Sequence, residues 1–179
     1  MSQDHPSAID AQTRARPTLK SDKCVDLDAL EQIAQDCQRR QKTLVWANGF
    51  FEILHAGHIE FLMKAARLGD VLIVGLNSDA STRQLRGPGH PVTTEAERVW
   101  VLSAVERIHF ITVYDDPDCS RILERIRPDV YAKGLGHIDG DIHPEERRIM
   151  QELGGTIALI AGDPAKRTDA LIQRIRGNT

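Results

Sequence analysis

The chain has 179 residues, 41% of them hydrophobic and 27% charged, which suits one globular domain with a core of its own. A formal net charge of −3 and a sequence pI near 6.2 exclude a general attraction to nucleic acid or to an anionic membrane surface, so any anionic ligand needs local cations. Cys24, Cys37 and Cys119 form no CxxC pair and suggest neither a zinc site nor a disulfide framework, and no stretch approaches the roughly 18 apolar residues of a membrane span. The expectation is a soluble, cytoplasmic protein.

Residues 1–22 are polar, with almost no apolar periodicity, and bury too little to offset the entropy of ordering them, so they read as a flexible arm before a single domain over 23–179. Leu27, Leu30, Ile33, Ala34 and Cys37 then fall at helical spacing and predict an amphipathic helix. Short apolar runs follow at Thr43–Ala47, Val71–Leu76, Phe110–Val113, Val130–Ala132 and Thr156–Ile160, the pattern of strands buried on both faces of a parallel sheet. Helical patterns at Ile59–Leu68, Glu95–Val105, Pro117–Ile126, Pro144–Leu153 and Asp169–Ile175 separate or follow them. The alternation predicts an α/β, Rossmann-like, doubly wound and mainly parallel five-stranded sheet with helices on both faces. In such a sheet a ligand lies beyond the carboxyl ends of the strands, so the loops that follow strands carry the chemistry.

The loop after the first strand runs Asn48-Gly49-Phe50-Phe51-Glu52-Ile53-Leu54-His55-Ala56-Gly57-His58 into a helix. Unpaired backbone amides at a helix N-terminus favour an anion, Gly57 lets a phosphate approach the backbone, and both imidazoles can donate to its oxygens. A surface histidine pair and half of a metal site remain open beside this phosphate reading, since residues three apart share a helical face. Neither alternative accounts for the surrounding loop.

This stretch resembles the His-x-Gly-His signature of the cytidylyltransferase-like nucleotidyltransferases. The likeness continues through Leu68-Gly69-Asp70, Asn77-Ser78-Asp79-Ala80-Ser81-Thr82, Leu85-Arg86-Gly87 and Pro91-Val92, where the chain is similar to the adenylyltransferase domain of bacterial ADP-heptose synthases. The resemblance implies transfer of a nucleoside monophosphate from an NTP, ATP or CTP, to a phosphorylated small molecule. His55 and His58 would touch the triphosphate, with Mg2+ shared among the phosphates and no covalent intermediate. Arg98, after Glu97, resembles the arginine of the family's Glu-Arg pair that reaches the phosphates. Lys133, at the end of the fourth strand, joins the catalytic set, while Asn48, Gly49, Phe50, Phe51, Gly57, Asn77, Asp79, Gly134 and Thr168 are the nucleotide-binding candidates. Arg83 and Arg86, with Glu52, are assigned to the acceptor and to a mobile Gly- and Pro-punctuated flap over Leu85–Pro91. For Arg83, Arg86 and Arg98 an ordinary exposed charge is the competing reading, and for Asp79 a capping role. The family commonly forms homodimers, for which Trp100 and Phe61 are available apolar residues; Trp100 suits the core equally well.

Four positions depart from the heptose enzymes. Gly134-Leu135-Gly136-His137 stands in place of Gly-Gly-Asp-Tyr, Arg167-Thr168-Asp169 in place of Ser-Thr-Thr, Glu52 in place of aspartate, and His90 in place of an arginine before proline. Thr168 remains placed to cap the last helix, and Lys166 and Arg167 to supply a new anion contact. All four changes fall on loops expected to touch the base or the acceptor, so the acceptor identity and the choice between ATP and CTP stay open.

Overall fold

In the computed structural model the described residues are 21–135, 142–163, 166 and 168–177. Of the sequence expectations, the arm over 1–20, the Gly136-His137 departure and Arg167 lie outside them.

Five strands form one parallel sheet: β1 (Leu44–Gly49), β2 (Val71–Asn77), β3 (Phe110–Tyr114), β4 (Val130–Leu135) and β5 (Thr156–Ala161). Their spatial order is β3-β2-β1-β4-β5, so the chain grows outward from β1 in one direction, then returns to its other side with β4. The crevice between the carboxyl ends of β1 and β4 is therefore the switch point at which open α/β sheets bind ligands.

Alternation along β1 explains the two layers. Leu44 and Trp46 face a core built with α1 (Leu27–Arg39), α5 (Ser120–Ile126) and α6 (Pro144–Leu153), whereas Val45 and Ala47 face α2 (Ala56–Ala65) and α4 (Glu95–Ser103). Trp46, paired with Ile73 across the ladder, is fully buried because its indole reaches over Gly75, two residues further along β2, where a Cβ would lie 2.3 Å from the ring. Asp26 caps α1 through Ala29 N–H, and Thr94 and Glu97 form a reciprocal capping box that starts α4.

Two further α-helices occur among the described residues, α3 (Asp79–Arg86) and α7 (Thr168–Ile175). The first was not expected. Its eight residues DASTRQLR lack an apolar stripe, and it is set instead by the Ser78 side chain accepting from Ser81 N–H and by burial of Ser81 and Thr82 beneath it. Arg83 and Arg86 consequently sit on a helix and not in a loop; the Gly-punctuated turn is confined to the residues after it. At the free edge of β3, Val25 N–H donates to Ile111 O and Ile111 N–H to Lys23 O, while the Lys23 ammonium donates to Val105 O at 2.8 Å. Among the described residues no helix is long and apolar enough to cross a membrane.

Candidate functional site

A cleft of about 360 Å3 opens at the switch point between β1 and β4. It is lined by twelve of the sixteen residues singled out from sequence: Asn48, Gly49, Phe50, Phe51, Glu52, His55, Gly57, His58, Arg86, Lys133, Gly134 and Thr168. Arg83, Asn77, Asp79 and Arg98 do not line it. A larger crevice of about 450 Å3 lies at the opposite, amino ends of β1 and β4, around Lys42, Arg127 and Asp129, and holds none of the expected residues.

His55 is the N-cap of α2. Its Nδ1 accepts the His58 amide at 3.3 Å, which places the ring proton on Nε2, where it donates to Thr168 Oγ1 at 3.0 Å. The two imidazoles stack with centroids 3.8 Å apart and planes 21° from parallel. Burial lowers the His55 pKa, and burial followed by the charge of His55 pushes His58 down to about 4, so both rings are neutral near pH 7. The His58 ring also meets the edge of Phe51, a residue held at a positive φ of 47° in the loop above it. Ala56 and Gly57, in the first turn, have no intrahelical acceptor for their amides.

Gly57 has a second constraint that sequence did not reveal. A Cβ there would lie 2.6 Å from the Lys166 carbonyl and 3.1 Å from the His55 ring. The segment leading into α7 thus rests on the start of α2, which brings Thr168 to His55 across 113 residues of sequence. Thr168 is the first residue of α7 rather than the residue before it. Lys166, expected to contact an anion, lines the cleft, and its Nζ pairs with Glu60 at 2.9 Å and Asp163 at 3.9 Å.

Arg98 also departs from expectation. It is 2% exposed, with Nη1 donating to Phe50 O and Asn77 O and Nη2 to Asp79 Oδ1, each at 2.8 Å. Its guanidinium clamps the cleft loop to the end of β2, and Asp79 is its counter-ion. Asn77 lies below, accepting from Tyr114 OH and donating to Ser81 Oγ, in a chain that continues upward through Asn48 Nδ2 to Tyr114.

On the flap side, Glu52 is 6% exposed and faces Arg86 at 3.0 Å and His90 at 2.7 Å. Two of the four departures are therefore one feature, because Glu52 and His90 meet. Glutamate is one methylene longer than aspartate and histidine is shorter than arginine, so the pair closes a similar span. Arg86 also lies over the Phe50 ring, 5.4 Å from its centroid.

Lys133 forms the floor. Its ammonium donates to Tyr131 OH at 2.8 Å and lies 3.5 Å from Asn48 Oδ1 and 3.8 Å from Glu146 Oε2. Glu146 was not among the residues singled out; an acidic residue in the first turn of a helix reads as an ordinary complement to the helix dipole.

Comparison with known proteins agrees with this geometry. The family model described as cytidylyltransferase-like matches residues 46–162. The chain is 39% identical over 157 residues to the bifunctional protein HldE of Geotalea uraniireducens, covering 86% of this chain and 31% of that protein. To HldE of Syntrophotalea carbinolica it is 38% identical over 151 residues, 83% of this chain and 30% of that protein. It thus spans about a third of the length of these relatives. The solved lipopolysaccharide core biosynthesis protein of Thermoplasma volcanium superposes with a TM-score of 0.55 at 26% identity, over 68% of this chain and 97% of that one. A pantoate-beta-alanine ligase from Francisella tularensis shares the fold alone, with a TM-score of 0.52 and 14% identity over 77% of this chain and 66% of that one. A β1–α2 loop that ends in His55-Ala56-Gly57-His58, set at the switch point of such a sheet, has its match across most of the domain: the chain belongs to the cytidylyltransferase-like family and is a nucleotidyltransferase.

Proposed function

We propose that this domain transfers AMP from ATP to a sugar 1-phosphate, with D-glycero-β-D-manno-heptose 1-phosphate as the first acceptor to test, giving ADP-heptose and pyrophosphate. The observation that carries the reading is the stacked, neutral His55–His58 pair at the amide end of α2, in one cleft with Lys133 and Arg86. Neutral imidazoles and backbone amides are suited to phosphate oxygens whose charge grows during transfer, since they donate hydrogen bonds without a prior ion pair to break.

In this reading an acceptor phosphate oxygen attacks the α-phosphorus, the bond from that phosphorus to the bridging oxygen breaks, and pyrophosphate leaves with the electron pair. A phosphate ester is already ionised near neutral pH, so no side chain needs to act as base. Mg2+ carried by the triphosphate neutralises part of its charge. The uncharged and cationic donors lining the cleft suit the phosphate oxygens that such an ion leaves open. The α2 amides and both histidines hold the β- and γ-phosphates, Lys133 addresses the α-phosphate, and Arg86 with Glu52 frames the acceptor. Gly49, Phe50, Phe51 and Gly134 form the walls for the nucleoside.

The test is pyrophosphate release with Mg2+, crossing ATP, CTP, GTP and UTP with sugar and polyol phosphates. Release that requires ATP and a heptose 1-phosphate is the expected result. Release only with CTP and a polyol phosphate would replace the substrates and keep the chemistry. Tight NTP binding without release for any acceptor would point to a binding module.

A further inference from the structure

We propose that Glu146, which lies on α6 and does not line the cleft, is a positioning residue that fixes the Lys133 ammonium at the cleft floor through the Tyr131 hydroxyl. The proposal rests on the reading that Lys133 addresses the α-phosphate.

Glu145 and Glu146 are adjacent in the first turn of α6, yet they are used differently. Glu145 is exposed and pairs with Arg148, as a solvated helix charge does. Glu146 is 2% exposed, and a buried carboxylate is tolerated only where donors and a counter-charge surround it. Its Oε1 accepts from the Cys119 amide at 3.0 Å and the Cys119 thiol at 3.1 Å, and its Oε2 accepts from Tyr131 OH at 3.0 Å. The cation that answers it is Lys133, whose Nζ is 3.8 Å from Oε2. Burial pushes the Tyr131 and Cys119 pKa values up, so both stay neutral and Glu146 and Lys133 are the two ions of this cluster.

Proton counting then fixes the direction of the network. Tyr131 OH has one proton and two acceptors at 3.0 Å, Glu146 Oε2 and Asn48 Oδ1. The carboxylate is the stronger acceptor, so the hydroxyl donates to Glu146 and its oxygen receives a Lys133 N–H at 2.8 Å. A second Lys133 N–H points toward Asn48 Oδ1 at 3.5 Å, while Asn48 Nδ2 is committed to Tyr114 OH. The third is left for the cleft. Tyr131 and Lys133 stand two apart on β4 and so share the face that α6 covers, which is why a residue on a helix behind the sheet can steer a side chain at its carboxyl edge. Without the carboxylate, the Tyr131 proton turns to Asn48 and the long lysine loses the field that holds its end in place.

The experiment has two arms on the full chain. In the first, the chain is labelled with 13C,15N-lysine and the Lys133 Cε–Nζ resonance, assigned with K133R, is followed in wild type and Glu146→Gln. A distinct wild-type resonance that collapses toward the position of exposed lysines in Glu146→Gln, with the melting temperature unchanged or raised, is expected. An unmoved resonance overturns the proposal. In the second, Glu146→Gln lowers kcat/KM about tenfold in the wild-type background and less than twofold when Lys133 is already Met, as expected if one residue acts through the other. Equal losses in both backgrounds would show that Glu146 acts elsewhere and overturn the positioning role. If the resonance collapses but wild type releases no pyrophosphate with any NTP, the proposed function fails and the Glu146–Lys133 coupling stands.

Discussion

Before any ligand arrives one ring nitrogen of His55 accepts from the backbone of α2 and the other donates to Thr168, so a phosphate must displace Thr168 to reach His55, whereas His58 Nδ1 has no partner to displace. Replacing His58 with Ala is expected to lower turnover by about two to three orders of magnitude with little change in melting temperature, the scale of losing one donor to a developing oxyanion. The depressed His58 pKa also predicts a pH dependence. The unfolded imidazole takes up a proton near 6.5 and the folded one only at about 4, so the unfolded state binds more protons between these values. Stability contributed by this residue is therefore complete above about 6.5, declines as the pH falls toward 4, and His58→Ala should flatten that part of the melting curve. Polyphosphate binding should draw a proton onto the pair near pH 6, seen as a buffer-dependent binding enthalpy that His58→Ala abolishes. Glu52 and His90 make a separate, reciprocal case. Glu52→Asp alone should shorten the reach and weaken sugar-phosphate binding several-fold, and adding His90→Arg should recover most of it, a cycle read by equilibrium binding of the acceptor.

At the scale of elements, the strands and most helices were legible because their apolar residues repeat at the period of the structure they adopt, as in Val71–Leu76 and Leu27–Cys37. The helix α3 was not, because polar residues and a cap hold it, and a pattern read from apolar spacing is blind to both. Arg98 was misplaced for a related reason. Its position after Glu97 is visible in sequence, whereas the three oxygens that take its guanidinium inward come from the β1–α2 loop, the end of β2 and the start of α3. Glu146 shows the same limit, since only the packing of α6 behind β4 distinguishes it from exposed Glu145. The contact at Gly57 yields an element-level prediction. Gly57→Ala must push the Lys166 carbonyl away, so His55 should lose Thr168 and activity should fall at least as far as in Thr168→Ala, while the sheet keeps its far-ultraviolet circular dichroism.

Across the whole molecule, the two edges of the sheet are treated differently. The β3 edge is covered by Lys23 to Val25, and the β5 edge carries the half-exposed Leu159. Removing residues 21–25 takes away two backbone hydrogen bonds and the bond from Lys23 to Val105, roughly 1–3 kcal/mol in all. The melting temperature should drop by about 2–12 °C, and the newly exposed edge should raise the tendency to aggregate. Lys23 and Val25 gave no sign of this in sequence, because a two-residue bridge has no period to read.

The bond between His55 and Thr168 has a consequence for the order in which the protein becomes competent. A nascent chain that has emerged as far as Asp163 contains all five strands, and the ribosome adds residues slowly compared with the docking of a short helix. Such a chain can assemble its sheet while the histidine at the start of α2 still lacks its partner. The scaffold is completed first and the His55–Thr168 contact last, so under the proposed function a chain stalled or clipped ahead of α7 would look folded by spectroscopy and yet turn over nothing.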